Sequence, residues 1–401
     1  MLNIEKFINQ FVIRRSNSMF ETDIQKHSED LFEIINGKSI LVIGGAGSIG
    51  SSFIRAILPY KPGELYVVDN NENTLAELTR NLRADGIYMP SVYLSYPMDY
   101  SSITFRRMFQ AHRGFDIVAN FSAHKHVRSE KDIYAIEALL RNNVINAKIL
   151  LEQLTEYKPD AYFCVSTDKA ANPVNIMGAS KRIMEDLIFS YSDIFPVKTA
   201  RFANVAFSNG SLPAGFLERM NRLQPISAPS DVSRYFVSPT ESGQICMLAT
   251  MLGNNREIFF PKLDESQMTT FDKIAEDLLR ECGYEIKYCC SDEEAVKEAS
   301  ALKRGDKIYP VYFSPSNTSG EKTFEEFFTE NEVIDGGRFT SLGVIIGKVI
   351  PNKAEVNDLI ADLNMEFENP AIKKEDIVQT IKKYLPNFVH IEMGKTLDEK
   401  M

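Results

Sequence analysis

A strand-like run, Ile40-Leu41-Val42-Ile43, ends directly on Gly44-Gly45-Ala46-Gly47-Ser48-Ile49-Gly50, and a helix-forming stretch from Ser51 to Leu58 follows. In Gly44-x-x-Gly47-x-x-Gly50 the first glycine allows a tight turn and the second lets the backbone approach a phosphate. The third lets the helix pack close to the strand. The helix start then aims free N–H groups, and the positive end of its dipole, at the same place. Strand, turn and helix in that order predict a βαβ unit that cradles a dinucleotide pyrophosphate. Gly44, Ala46, Gly47, Ser48, Ile49 and Gly50 are the residues expected against it.

The pattern continues downstream. Apolar runs at Leu65–Val68, Ser91–Leu94, Ile117–Phe121, Tyr162–Val165 and Val197–Phe202 alternate with helical stretches such as Leu75–Leu82 and Ile133–Leu154. Short buried strands separated by helices indicate a parallel sheet, so the fold class expected is α/β, a Rossmann-type doubly wound sheet. Before it, residues 1–37 read as an amphipathic helical extension around Ile4, Phe7, Ile8 and Phe11, then Leu31, Phe32 and Ile35, broken by Arg14-Arg15 and expected to pack on the main domain or on a partner subunit. After about Asn204 the alternation dissolves into Pro-, Ser- and Asn-rich loops with one helix near Phe271–Cys282. Helices return at Glu355–Leu363 and Lys374–Leu385. The division expected is an extension (1–37), a nucleotide-binding core (38–204), a smaller, partly interleaved substrate-binding lid (205–335) and a helical tail (336–401).

The 401 residues, 44% hydrophobic, suffice for a sizeable core. A net charge of −10 argues against nucleic acid or an anionic membrane as the main partner. There is no apolar run long enough to span a bilayer, and the start lacks a basic then apolar secretory signature. Five cysteines, none in C-x-x-C spacing, read as reduced thiols in a cytoplasmic protein. Five histidines without cysteine or carboxylate at ligand spacing give no metal site, although His124 and His126 stand two apart.

Asp69 ends the second strand, 25 residues after Gly44. A carboxylate there accepts from the adenosine ribose hydroxyls and repels a 2′-phosphate, so NAD is expected over NADP. The next residues, from Asn70 to Asn73, bring no arginine. Asp99, after the third strand, is a further candidate for the adenosine end.

The most informative stretch is Ser166-Thr167-Asp168-Lys169-Ala170-Ala171-Asn172-Pro173, followed by Met177-Gly178-Ala179-Ser180-Lys181. It begins at the carboxyl end of the fifth strand, where open α/β sheets bind ligands. Met177 and Lys181 lie four apart, on one face of the next helix. With Ala123-His124-Lys125-His126-Val127, Asn143, Arg201-Phe202-Ala203-Asn204-Val205, Ser233-Arg234-Tyr235-Phe236 and Gly320-Glu321-Lys322-x-x-Glu325-Glu326, the chain over about residues 15–330 resembles the extended short-chain dehydrogenases/reductases. Within them it is most similar to the UDP-N-acetylglucosamine 4,6-dehydratases of polysaccharide biosynthesis.

The resemblance implies that Thr167, Asp168 and Lys169 are catalytic. Ser122, Ala123, Lys125, Asn143 and Lys181 would join the cofactor site, with Lys181 on the nicotinamide ribose. His126, Met177 and Asn204 would face the substrate. Arg234, and less strongly Lys262, are candidates for its diphosphate, since an arginine fork suits phosphate oxygens. The chain departs from the superfamily in placing Met177 where a tyrosine usually acts. Methionine cannot move a proton. That substitution resembles one branch of these dehydratases, larger and often membrane-anchored, associated with retention at C5. Thr318-Ser319 stand where the family has Arg-Pro, so that arginine's role does not carry over.

The chemistry fits the residues. Oxidation at C4 makes the C5 proton acidic; a base removes it, an acid protonates the departing C6 hydroxyl, and the hydride returns to C6. Lys169, neutral and with a pKa lowered by NAD⁺ and partial burial, would take the C5 proton. Asp168 would take the C4 hydroxyl proton and deliver it to C6, while Thr167 orients O4. A nucleotide-sugar 4-epimerase and a non-catalytic NAD-binding scaffold are the alternatives. Extended family members commonly pair, so a homo-oligomer is expected, with residues 1–37 as one contact surface.

Overall fold

The structure, a computed structural model, describes residues 2–126, 130–316 and 326–391. Its main sheet contains β1 (Ser39–Ile43), β2 (Glu64–Asp69), β3 (Val92–Pro97), β4 (Ile117–Asn120), β5 (Ala161–Thr167), β6 (Val197–Phe202), β7 (Glu257–Pro261), β8 (Val333–Asp335) and β9 (Leu342–Ile346). They lie in the order β8-β9-β7-β6-β5-β4-β1-β2-β3. β1 to β7 run parallel, and β9 joins antiparallel to both β7 and β8. The strand order reverses between β1 and β4, which opens a crevice at their carboxyl ends. The doubly wound sheet is as expected. Residues of β4, β6 and β7 are buried throughout, as a sheet covered on both faces requires.

Three helices matter for the site: α1 (Ser48–Ile57), α2 (Ile176–Phe189) and α3 (Pro239–Leu252). α3 crosses α1 so closely that a Cβ on Gly243 would sit 2.2 Å from the Ser52 carbonyl oxygen. α3 has no polar face: ten of its residues, from Glu241 to Met251, are buried. A helix apolar all round lacks the period-3.6 signal, which is why the sequence reads as loops there. The helices Leu212–Asn221 and Asp292–Ala299 also lie in that region.

A second apolar core gathers around a parallel three-stranded sheet of Ile226–Pro229, Ile308–Ser314 and Glu285–Tyr288. Phe7, Ile8, Val12 and Ile13 of the N-terminal extension belong to this core, whereas Phe20, Leu31 and Ile35 belong to the main one. The extension therefore packs across both bodies of its own chain. Arg15 forks onto Glu241 at 2.6 and 2.7 Å, and Asp23, fully buried, accepts the backbone N–H groups of Thr340 and Ser341 at 2.7 and 2.8 Å.

The tail is not purely helical, which corrects the expectation for 336–401. β9 precedes the helices Lys353–Glu368 and Lys374–Tyr384. Its partner β7 lies some eighty residues earlier, so no local pattern marks the pairing. Among the described residues no helix is long and apolar enough to cross a membrane.

Candidate active site

The glycine loop takes the form its spacing predicts. Gly44 has φ +69°, and a Cβ there would lie 2.6 Å from the Ser122 nitrogen. At Gly50 a Cβ would lie 2.3 Å from the Gly44 oxygen, so the first turn of α1 rests directly on the loop. No side chain caps α1, which leaves its leading N–H groups to face the crevice. Asp69 at the tip of β2 accepts from the Ala46 N–H at 3.1 Å with one oxygen and from the Asn71 N–H at 3.0 Å with the other. Each carboxylate oxygen has a second lone pair for a ribose hydroxyl. Asn70 is exposed beside it. Asp99 closes its own turn, accepting from the N–H and hydroxyl of Ser101 at 2.7 Å. These residues fit a dinucleotide.

Opposite the loop runs the segment 121–126, and Asn143 holds it. The Asn143 amide donates to the His124 carbonyl at 2.9 Å and to the Ser180 hydroxyl at 3.0 Å, and its oxygen accepts from the His124 N–H at 2.9 Å. Asn143, expected in the cofactor site, is buried, with both ends of its amide engaged on the backbone of that segment and on Ser180. It occupies a π-helical turn, Arg141–Ile145, inside the long helix 133–154, a distortion found often at functional sites. Ser122 donates to the Asn142 side chain at 3.2 Å. Desolvation and the charge of Lys181 lower the pKa of His124, and desolvation lowers that of Lys125. His126 lies against Gly210, whose Cβ position is 3.0 Å from the imidazole Nε2. Val127 falls outside the described residues.

At the end of β5 the three candidate catalytic residues converge on one oxygen. Asp168 Oδ1 accepts from the Thr167 hydroxyl at 2.8 Å, from the Lys169 N–H at 2.9 Å and from the Lys169 ammonium at 3.0 Å. Asp168 is 4% exposed, so the contact is sheltered from water. The following helix α2 carries Met177 and Lys181, both buried. The Lys181 ammonium donates to the Val165 carbonyl at 3.1 Å, and burial lowers its pKa, opposed by Cys164 and Glu185. Gly178 packs on the Lys169 carbonyl, where a Cβ would come within 2.7 Å.

Beneath this end lies a charge cluster that sequence reading passed over. Ser166 donates to Glu185 at 2.6 Å, and Arg201, fully buried, binds Glu185 at 2.8 and 2.9 Å. Arg201 also reaches Glu332 at 2.7 and 3.0 Å, and Lys348 joins Glu332 at 2.8 Å. Burial raises the Glu332 pKa but its cationic partners win, holding it at about 2. The spacing of Glu185 four after Lys181 was the one available clue.

The remaining candidates spread over the lid side. Asn204 opens a short strand paired with Phe236–Val237, its N–H donating to the Tyr235 carbonyl at 3.0 Å, whereas Arg234 lies on a separate short strand paired with Thr269–Thr270. Arg234 is buried and donates to the Ser233 carbonyl at 2.9 Å. Lys262 is corrected: its ammonium caps the carbonyls of Gly336, Phe339 and Thr340 at 2.6, 2.7 and 3.3 Å. All three of its donors are used, leaving none for a phosphate. Of the 318–326 motif only Glu326 lies within the described residues, and it accepts from Asn172 at 2.9 Å. Among the described residues no group of three or more His, Cys, Asp or Glu is arranged to hold a metal.

Comparison with known proteins finds relatives along most of the chain. The probable polysaccharide biosynthesis protein EpsC of Bacillus subtilis is 27% identical over 308 residues, covering 75% of this chain and 49% of that protein. The chain thus spans about half the length of that relative. A UDP-N-acetylglucosamine 4,6-dehydratase (inverting) of Campylobacter jejuni is 25% identical over 307 residues, 74% of this chain and 83% of that one. The X-ray structure of Pen from Bacillus thuringiensis superposes with a TM-score of 0.63 at 21% identity, over 82% of this chain and 99% of that one; that likeness concerns the fold. The family described as polysaccharide biosynthesis protein matches residues 40–335, from β1 to β8. The chain belongs to this polysaccharide biosynthesis family, within the extended short-chain dehydrogenases/reductases.

Proposed function

We propose that the chain is an NAD-dependent nucleotide-sugar 4,6-dehydratase that converts UDP-N-acetylglucosamine to a UDP-4-keto-6-deoxy-N-acetylhexosamine. The observation that carries this reading is the shared Asp168 oxygen, bonded to Thr167 and Lys169 at the carboxyl end of β5. An epimerase needs no acid for a C6 hydroxyl, and a scaffold needs no sheltered carboxylate–ammonium contact. The dehydratase named in Campylobacter jejuni, 25% identical, supports the same choice.

In this reading Gly44 to Gly50, Asp69, Asn70 and Asp99 hold NAD, with Ser122, Ala123, Lys125 and Lys181 along its nicotinamide half. NAD bound there supplies a hydride acceptor for C4 and a hydride donor for C6. Residues 38–204, with α3, β7 and β8 interleaved from further along, then form the nucleotide half, and the rest of 205–335 the substrate half; Arg234, Asn204 and His126 receive the sugar nucleotide. Thr167 orients O4. Asp168 takes the C4 hydroxyl proton, and the ketone acidifies C5. Lys169, entering the cycle as the neutral amine, removes the C5 proton, Asp168 protonates the C6 hydroxyl, and water departs. Lys169 returns its proton to C5 as hydride reaches C6, so each residue ends as it began. Met177 walls the pocket and exchanges no proton.

The test is mass spectrometry of the sugar nucleotide after incubation with the protein and NAD. Loss of one water is expected. An isobaric product would instead establish the epimerase, and an unchanged substrate the scaffold.

A further inference from the structure

The start of α2 is held by a residue from outside its own helix. Asn175 caps it conventionally, its side chain accepting from the Gly178 N–H at 2.7 Å. The preceding N–H, that of Met177, donates instead to Glu130 Oε1 at 2.9 Å. Glu130 is 8% exposed, and a buried carboxylate at a helix N-terminus satisfies both an orphan donor and the dipole. Its other oxygen lies 3.5 Å from Nε2 of His390, and its backbone carbonyl accepts from Lys374 at 3.4 Å. One residue beyond His390, the Ile391 N–H donates to the Val174 carbonyl at 3.0 Å, and Phe388 anchors this stretch in the main core. A strap from the C-terminal segment therefore lies over both Glu130 and the turn that follows Lys169.

We propose that Glu130 is a positioning residue, held by the strap Phe388–Ile391, that sets the register of Met177 and, through it, of Lys169. The route is short. Glu130 fixes the Met177 nitrogen, and the next residue, Gly178, rests on the Lys169 carbonyl with no room for a Cβ. A shift of the helix start moves Lys169 against Asp168. Misplacement on that scale costs about ten- to hundred-fold in turnover. Neither Glu130 nor the strap touches the reacting atoms. This inference rests on the dehydratase reading for its kinetic arm, and on geometry alone for its exchange arm.

The experiment compares full-length Glu130→Leu, Glu130→Gln and His390→Ala with the unmodified protein. Glu130→Leu removes the acceptor at similar volume, and is expected to lower kcat at least tenfold with KM and NAD affinity unchanged. Glu130→Gln keeps an acceptor for the Met177 N–H and is expected to restore most of that loss. His390→Ala leaves Glu130 in place but loosens it, giving a smaller kcat loss and no KM change. Hydrogen exchange at the Met177 amide, read without any substrate, is expected to rise in Glu130→Leu and His390→Ala while β1 amides stay protected. Wild-type exchange at Met177 in both variants, or a loss confined to KM, overturns the proposal. If Glu130→Leu does not fold, the His390→Ala exchange rate decides. An unmodified protein that dehydrates nothing refutes the function and leaves the exchange result standing.

Discussion

The two halves of the crevice are built differently. On the nucleotide side the phosphate cradle closes over short separations: Gly44 meets Gly50, and Asp69, at the end of the neighbouring parallel strand, receives Ala46 from 23 residues away. On the acid–base side the supports come from far along the chain. Arg201 unites Glu185 with Glu332, Asn172 meets Glu326, and Glu130 meets Met177. A backbone cradle needs only its own spacing, whereas a proton-transfer pair needs neighbours that hold charges in a fixed place away from water. The first can be read as a motif. The second exists only once the sheet has closed.

If this division is right, chemistry and cofactor binding separate. Asp168→Asn should lower kcat by about 10²–10⁴ and leave NAD affinity untouched, measured by single-turnover product formation beside a cofactor titration. Parallel loss of NAD binding would erase the distinction. Arg201→Met takes the guanidinium from buried Glu185 and leaves Glu332 to Lys348, and should cost about 3–5 kcal/mol in urea unfolding. A near-neutral result would show that the cluster is not under tension.

The same cluster sets an acid limit. Glu332 ionises at about 2 in the folded chain against an ordinary 4.5. A depressed carboxylate contributes fully above its unfolded value, so stability should fall as pH drops from about 4.5 toward 2. Melting temperature against pH checks this, and Arg201→Met should flatten that limb. Gly44→Ala meets both a left-handed φ and a backbone collision. It should cost about 1–3 kcal/mol and weaken NAD while the Asp168–Lys169 contact persists. The smallest effect is reserved for Lys262→Ala. It should cost about 1 kcal/mol through lost hydrogen bonds, with substrate KM unchanged.

Legibility followed the same line. The glycine loop, Asp69, the parallel sheet and the Thr167–Lys169 strand end were readable because each is a short pattern with its own physical cause. The clamp that Asn143 makes on the His124 backbone was not readable, since a π-turn and a backbone clamp leave no spacing signature. Lys262 looked like a phosphate ligand until three carbonyls 74 to 78 residues away claimed it. α3 stayed hidden because burial on every side removes helical periodicity, and β9 because its partner is remote. Glu130 and His390 are 260 residues apart, and no sequence pattern joins them.

The Asp23 contacts with Thr340 and Ser341 span 317 and 318 residues. A ribosome adds about 5–20 residues each second, so the interval between making Asp23 and its partners is on the order of half a minute. Throughout it a carboxylate destined for the interior has no amides to receive. The N-terminal segment is thus emitted early, but the part of it that carries Asp23 can be locked only once Ser341 has been made.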